Sequence, residues 1–158
     1  MEIFIRDANL NDMEKVYNLS NDELVRKNSI NTQPILWEEH VEWFRKKLKD
    51  PNYYIYIIEN RNSDFVGQVK FEQNKENNLT FISISLSPSF RGKGLGVEVL
   101  SKACNFHFNR VSSIKEIYAI IRPDNLPSIN IFQKAGFVYV DSIFLNGELF
   151  YKYVLKRG

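Results

Sequence analysis

Three glycines at strict alternation, Gly92, Gly94 and Gly96, stand where a strand pattern gives way to a helix pattern. No other stretch constrains the chain as tightly. Upstream, Thr80 to Leu86 (Thr-Phe-Ile-Ser-Ile-Ser-Leu) alternates small polar with large apolar residues, the period of a half-buried strand. Pro88 ends further sheet pairing because it has no N–H to donate. Arg91-Gly92-Lys93-Gly94-Leu95-Gly96 follows, and helical periodicity begins at once. Such a turn aims several backbone N–H groups, and the positive end of a helix dipole, at one point in space. Glycine admits a bulky anion close to the backbone and supplies positive φ. Arg91 and Lys93 add two full positive charges. The stretch reads as a diphosphate cradle, against the plainer reading of a flexible turn. Two rival cradles fail. A P-loop needs Ser or Thr after its lysine, and Gly94 follows Lys93. A dinucleotide fingerprint needs G-x-G-x-x-G, and Val97 stands where its third glycine would fall.

The remainder of the chain reads as one α/β domain over residues 1–158. Glu2 to Asp7 is a first strand, and Asn9 or Asn11 is available to cap the helix carrying Met13, Val16, Tyr17 and Leu19. Ser20 to Pro34 is polar, poorly periodic and long for a connection, and loops of that length are often functional. A second helix is expected from about Leu36 to Lys49, with Leu36, His40, Trp43, Phe44 and Lys47 along one face. His40 is either a satisfied structural histidine or a group that serves a cleft. Trp43 is either core or a stacking surface. Tyr53–Glu59 and Asp64–Gln73 read as strands, followed by the strand at Thr80. The helix Gly94–Arg110 places Leu100, Ala103, Cys104 and His107 on one face. Lys115 to Arg122 is continuous enough for a parallel strand buried on both faces. A helix over Pro127–Ala135 has Asp124 or Asn125 as cap and Gly136 as stop. Phe137–Phe144 and Glu148–Lys156 close a hairpin through Asn146-Gly147, a type I′ pair.

Composition narrows the function. A net charge of +2 with scattered basic residues leaves no footprint for nucleic acid or an anionic membrane. Cys104 is the only cysteine, so no internal disulfide forms, and its neighbours make it helix core. With no signal peptide and no 18-residue apolar run, a cytoplasmic location is expected.

Arg91-Gly92-Lys93-Gly94-Leu95-Gly96 resembles the Q/R-x-x-G-x-G/A acyl-CoA loop of the GNAT N-acetyltransferase superfamily. Asn125-Leu126-Pro127-Ser128-Ile129-Asn130-Ile131-Phe132-Gln133-Lys134-Ala135-Gly136-Phe137 resembles its second signature, N-x-x-S-I-x-x-Y/F-x-K-x-G-F. The two stand in the family's order. The resemblance implies a mixed α+β domain. Its central, mostly antiparallel sheet would have one parallel, splayed strand pair and helices on both faces. Acetyl-CoA is implied as co-substrate, with no metal, and a small-molecule primary amine as acceptor, in a monomer or homodimer. It assigns Arg91 to Gly96 to the pyrophosphate, Asn125 to the pantetheine or pyrophosphate arm, and Phe132 and Lys134 to the cofactor, while Ser128 is either a helix-start hydrogen bonder or a cofactor contact. Ile84, Ser85 and Leu86 are assigned to the pantetheine and acetyl carbonyl, Leu86 as oxyanion donor. Arg26, Asn28 and Ser29 are implied as acceptor contacts, together with His40 and Trp43. Glu-Glu-His-x-x-Trp-Phe after Arg-x-Asn-Ser resembles members that acetylate nucleotide-linked amino sugars. A protein N-terminus as acceptor, or a silent acyl-CoA sensor, is the alternative. Two positions depart from the pattern. Phe132 replaces a common Tyr and has no proton to give a departing thiolate. Ser83 and Ser85 stand where many members place a glutamate base, which leaves Glu72 and then His40 as candidates.

Overall fold

The computed structural model describes residues 1–158. Its elements are β1 (Ile3–Asp7), α1 (Met13–Ser20), α2 (Glu23–Asn28), α3 (Trp37–Leu48), β2 (Tyr53–Asn60), β3 (Phe65–Gln73), β4 (Thr80–Leu86), α4 (Leu95–Arg110), β5 (Glu116–Ile121), α5 (Leu126–Lys134), β6 (Val138–Leu145) and β7 (Glu148–Lys156). The strands follow the order β1-β2-β3-β4-β5-β7-β6. Only β4 and β5 pair in parallel, through Thr80↔Ile117 and Phe81↔Tyr118. Within the span read as one domain the chain forms two compact units. The first is Met1–Glu72 with Ser83–Arg91, and the second is Gln73–Ile82 with Gly92–Gly158.

In the first unit β2 is the spine. Ile55 to Ile58 are all buried, because β1 and β3 flank the strand and α3 covers one face. Val16 of α1 and Phe44 of α3 meet Ile55 and Ile57 in the core. Each such side chain contributes about 1.5–3 kcal/mol relative to exposure. Asn9 caps a short 3-10 turn over Leu10–Asp12 that leads into α1. Asp12 is buried, and Arg6 donates to both its oxygens at 2.7 and 2.8 Å and also to Glu59. Burial works to raise the Asp12 pKa, but the Arg6 bonds, the Asn9 N–H and the Arg6 charge outweigh it and hold the carboxyl below its usual range.

The segment Ser20–Pro34, expected as an irregular loop, contains a helix. α2 forms because Asp22 accepts from the N–H groups of Leu24 and Val25, a side-chain cap that starts a helix with little periodicity of its own.

In the second unit α4 buries Val99, Leu100, Ala103, Cys104, His107 and Phe108. β5 departs from expectation. It alternates half-buried Glu116, Tyr118 and Ile120 with buried Ile117, Ala119 and Ile121, so one of its faces is only partly covered. Lys152 reaches over the Tyr118 ring on the exposed side. The β6–β7 turn has φ of 53° at Asn146 and 78° at Gly147, both positive as a type I′ pair requires. Arg157 closes the unit by donating to the carbonyls of Ile114 and Phe108 at 2.6 and 2.9 Å.

Candidate active site

The glycine turn of the second unit uses each glycine differently. Gly92 and Gly94 adopt φ of 71° and 75°, left-handed conformations that other residues enter at a cost. A side chain at either would meet nothing within 4 Å, so here conformation and not crowding requires glycine. At Gly96 the reason is space. A Cβ there would lie 2.6 Å from Ile131, so its absence lets α5 pack on α4. Gly94 is the N-cap of α4, and no side chain caps that helix. The 16-residue α4 thus presents its first N–H groups to whatever anion the turn receives. This arrangement fits a diphosphate.

The second signature opens on a helix cap. Asn125 caps α5, its side chain accepting from the Ser128 N–H at 3.4 Å. Phe132 is buried edge-on against Phe137 at 4.9 Å between ring centroids. Lys134 is exposed at the C-terminal end of α5. Cys104 is buried, which pushes its thiol up to about 12 and keeps it protonated.

In the first unit Arg91 is already engaged. It donates to Asp22, the cap of α2, at 2.7 Å and to the Leu86 carbonyl at 3.0 Å. It therefore ties the end of β4 to the start of α2. Burial works to raise the Asp22 pKa, but Arg91 together with the Val25 and Leu24 N–H groups outweighs it and draws the value down. Gly67 of β3 packs against that same end of β4. A Cβ on it would lie 2.4 Å from the Ser85 carbonyl oxygen and 3.2 Å from the Leu86 Cα. Ile84, Ser85 and Leu86 are all half-buried.

Arg26 and Ser29 staple the segment after α1. Arg26 donates to the carbonyls of Ser20, Asn31 and Gln33 and to Ser29 Oγ, and Ser29 Oγ donates to the Val25 carbonyl. Asn28 is half-buried at the end of α2. His40 is 2% exposed among Tyr17, Trp37, Trp43 and Phe44. Its Nε2 donates to the Met13 carbonyl at 2.8 Å, so one ring nitrogen has a structural partner. Burial and the nearby Lys70 charge lower its pKa against the opposing effect of that bond, and the ring is neutral at pH 7.

Glu72 does not join Leu86. It pairs with Lys47 at 3.7 Å and stands five residues along β3 from Gly67, about 17 Å at strand rise. Two residues unmarked in the sequence lie between them. Gln68 and Lys70 share the face of β3 whose cross-strand neighbours are Ile57 and Ile55. Polar residues alternating on a strand read as a solvent face. The contrary signal was in β2, whose unbroken apolar run Ile55-Tyr56-Ile57-Ile58 implies cover on both sides.

These features and the sequence agree on a class. The chain belongs to the GNAT acetyltransferase family, whose acetyltransferase (GNAT) domain matches residues 2–138. It is an acyltransferase that uses acetyl-CoA as co-substrate and an amino group as acceptor. Among particular relatives, YwnH of Bacillus subtilis (strain 168), provisionally named a phosphinothricin acetyltransferase, is 28% identical over 138 residues, 84% of this chain and 82% of that one. Spermidine N(1)-acetyltransferase of Escherichia coli (strain K12) is 24% identical over 149 residues, 91% and 79%. The spermidine N-acetyltransferase of Vibrio cholerae, in complex with CoA and spermine, superposes with a TM-score of 0.86 at 19% identity, covering 98% of this chain and 95% of that one. At that identity the likeness concerns the fold. A dodecameric structure of that enzyme exists, so it lends nothing to the expected monomer or homodimer. No helix here is long and apolar enough to cross a membrane.

Proposed function

We propose that this protein acetylates the primary amine of a small polar molecule by direct transfer from acetyl-CoA. The glycine turn carries the reading: a left-handed, side-chain-free cap opens a long helix directly after Arg91, a layout suited to the pyrophosphate of a CoA thioester. Parallel pairing confined to the first two residues of β4 supports giving the backbone of Ile84, Ser85 and Leu86 to the acyl arm, with the Leu86 N–H facing the developing oxyanion. The neutral amine attacks the acetyl carbon and the C–S bond breaks. The amine proton passes to solvent, and the thiolate leaves without help from Phe132. Cys104 takes no part, since a thiol at about 12 is no nucleophile at neutral pH. Positioning supplies the main catalytic effect, on the order of several kcal/mol.

The expectation of a nucleotide-linked amino sugar gains nothing from the relatives, whose names point to polyamines and phosphinothricin. Calorimetric titration with acetyl-CoA, followed by CoA release across polyamines, amino sugars, nucleotide amino sugars and peptide amines, tests the reading. Binding with turnover of a small amine is expected. No acetyl-CoA binding, or turnover of peptide amines alone, would overturn it.

A further inference from the structure

The polar row on β3 holds two side chains that the fold leaves incomplete. Lys70 is half-buried, with Nζ 4.8 Å from the centre of the Trp43 ring. It has neither a hydrogen bond nor a carboxylate within ion-pair distance. The nearest acid along the strand, Glu72, is paired with Lys47. The other charge acting on Lys70 is a second cation, Arg26. A desolvated lysine within the field of an arginine, with no counter-ion of its own, is a costly arrangement unless an anion completes it.

Two residues back along the same face, Gln68 is 2% exposed. Its Nε2 donates to Ser20 Oγ at 3.1 Å, and its Oε1 has no partner. Turning the amide over would only move the unpartnered end to the nitrogen. Buried polar groups are otherwise satisfied almost without exception, so this end points to a ligand group. Ser20 links the cluster, because its carbonyl also accepts from Arg26. Gln68 directly follows Gly67, whose Cα packs on Ser85 and Leu86, so the row starts beside the stretch assigned to the acetyl group.

We propose that the acceptor amine carries an anionic group, a phosphate or a carboxylate, which Lys70 binds above Trp43 while Gln68 holds a hydroxyl or amine about 7 Å away along β3. This rests on the acetyltransferase reading above and narrows its substrate class. A polycation such as spermidine is disfavoured at the same place, because Lys70 and Arg26 repel it.

Matched acceptors test the proposal on the full chain with acetyl-CoA. Glucosamine 6-phosphate against glucosamine measures a phosphate, muramic acid against glucosamine measures a carboxylate, and spermidine supplies the polycation. An anionic member is expected to exceed glucosamine in kcat/KM by roughly ten- to a hundredfold, with spermidine lowest. Lys70→Gln should remove the preference through KM and Lys70→Arg should keep it. Equal use of charged and neutral amines, a preference for spermidine, or a preference that survives Lys70→Gln would each overturn the proposal. A readout free of turnover uses Trp37→Phe, which leaves Trp43 as the sole tryptophan. Glucosamine 6-phosphate or muramic acid should shift its emission where glucosamine does not, and no shift with either anion counts against the proposal. Acetyl-CoA binding, measured separately by calorimetry, decides the underlying acetyltransferase reading.

Discussion

The two units handle charge in opposite ways. The second meets its expected anion with backbone: a glycine cap, two left-handed residues and the N–H groups of α4. The first works with side chains, setting Lys70 on Trp43 and framing its helices with Arg26, Arg91 and Arg6. A backbone site depends on conformation and tolerates side-chain change. A side-chain site is the reverse. The contrast teaches where mutations should act.

The exception within the first unit yields the largest expected effect. Gly67 faces backbone, so a Cβ 2.4 Å from the Ser85 oxygen cannot be relieved by a rotamer change. Gly67→Val should destabilise the protein by about 3 kcal/mol or more and lower Tm by roughly 6–12 °C. A thermal melt that matches the wild type would mean β3 and β4 do not approach as described.

Acid should separate the units next. His107 in α4 is 2% exposed, and burial, assisted by Arg110, pushes its pKa down to about 4. The unfolded chain takes up a proton near pH 6.5 that the native ring refuses until about 4. Stability from this group is therefore complete above pH 6.5 and falls as pH drops toward 4, by up to about 3 kcal/mol. Melts at pH 7, 5 and 4 should show that loss in the wild type and a shallower one in His107→Gln. Parallel curves would remove His107 from the account.

Gly94→Ala asks whether the cradle is a matter of conformation. Alanine at a φ of 75° costs about 1–2 kcal/mol, and the turn relieves it by rearranging. Acetyl-CoA affinity should fall about tenfold by calorimetry, with Tm moving by only a few degrees. An unchanged affinity would show that the turn does not hold the diphosphate.

What the sequence disclosed follows the same division. Backbone-built features announce themselves, because glycine spacing, Pro88, Asn125 and Asn146-Gly147 each force a conformation that any reader of the chain can name. The strand limits and the α4 and α5 helices were legible for that reason. Features that depend on which face a neighbour covers were not. α2 is held by a single cap, Asp22, that also binds Arg91 sixty-nine residues away, a partnership no local pattern encodes. Lys70 and Gln68 read as surface residues until α1 and α3 are placed over them. Asn125 and Arg91, which the motifs single out, each also hold a partner within the chain that the motifs do not name.

The smallest effect, and the sharpest for the contrast, is the pH dependence of acceptor choice. Burial lowers the Lys70 pKa from 10.5 to about 8, and Arg26 adds to the shift. The groups around it hold still between pH 7 and 9. Burial keeps His40 neutral, while burial, with Glu72 and Asp50, raises Tyr53 far above that range. Arg26, a guanidinium, stays charged. Lys70 loses its charge within that interval, as pH rises through about 8. The reacting amine also titrates, so a single rate would confuse the two. Dividing kcat/KM for glucosamine 6-phosphate by that for glucosamine cancels the amine to first order, since both carry the same one. The ratio should fall several-fold as pH rises from 7 to 9, and Lys70→Arg should hold it level because guanidinium does not titrate there. A wild-type ratio flat across that range would show that the charge on Lys70 does not select the acceptor, and the first unit would then be reading shape alone.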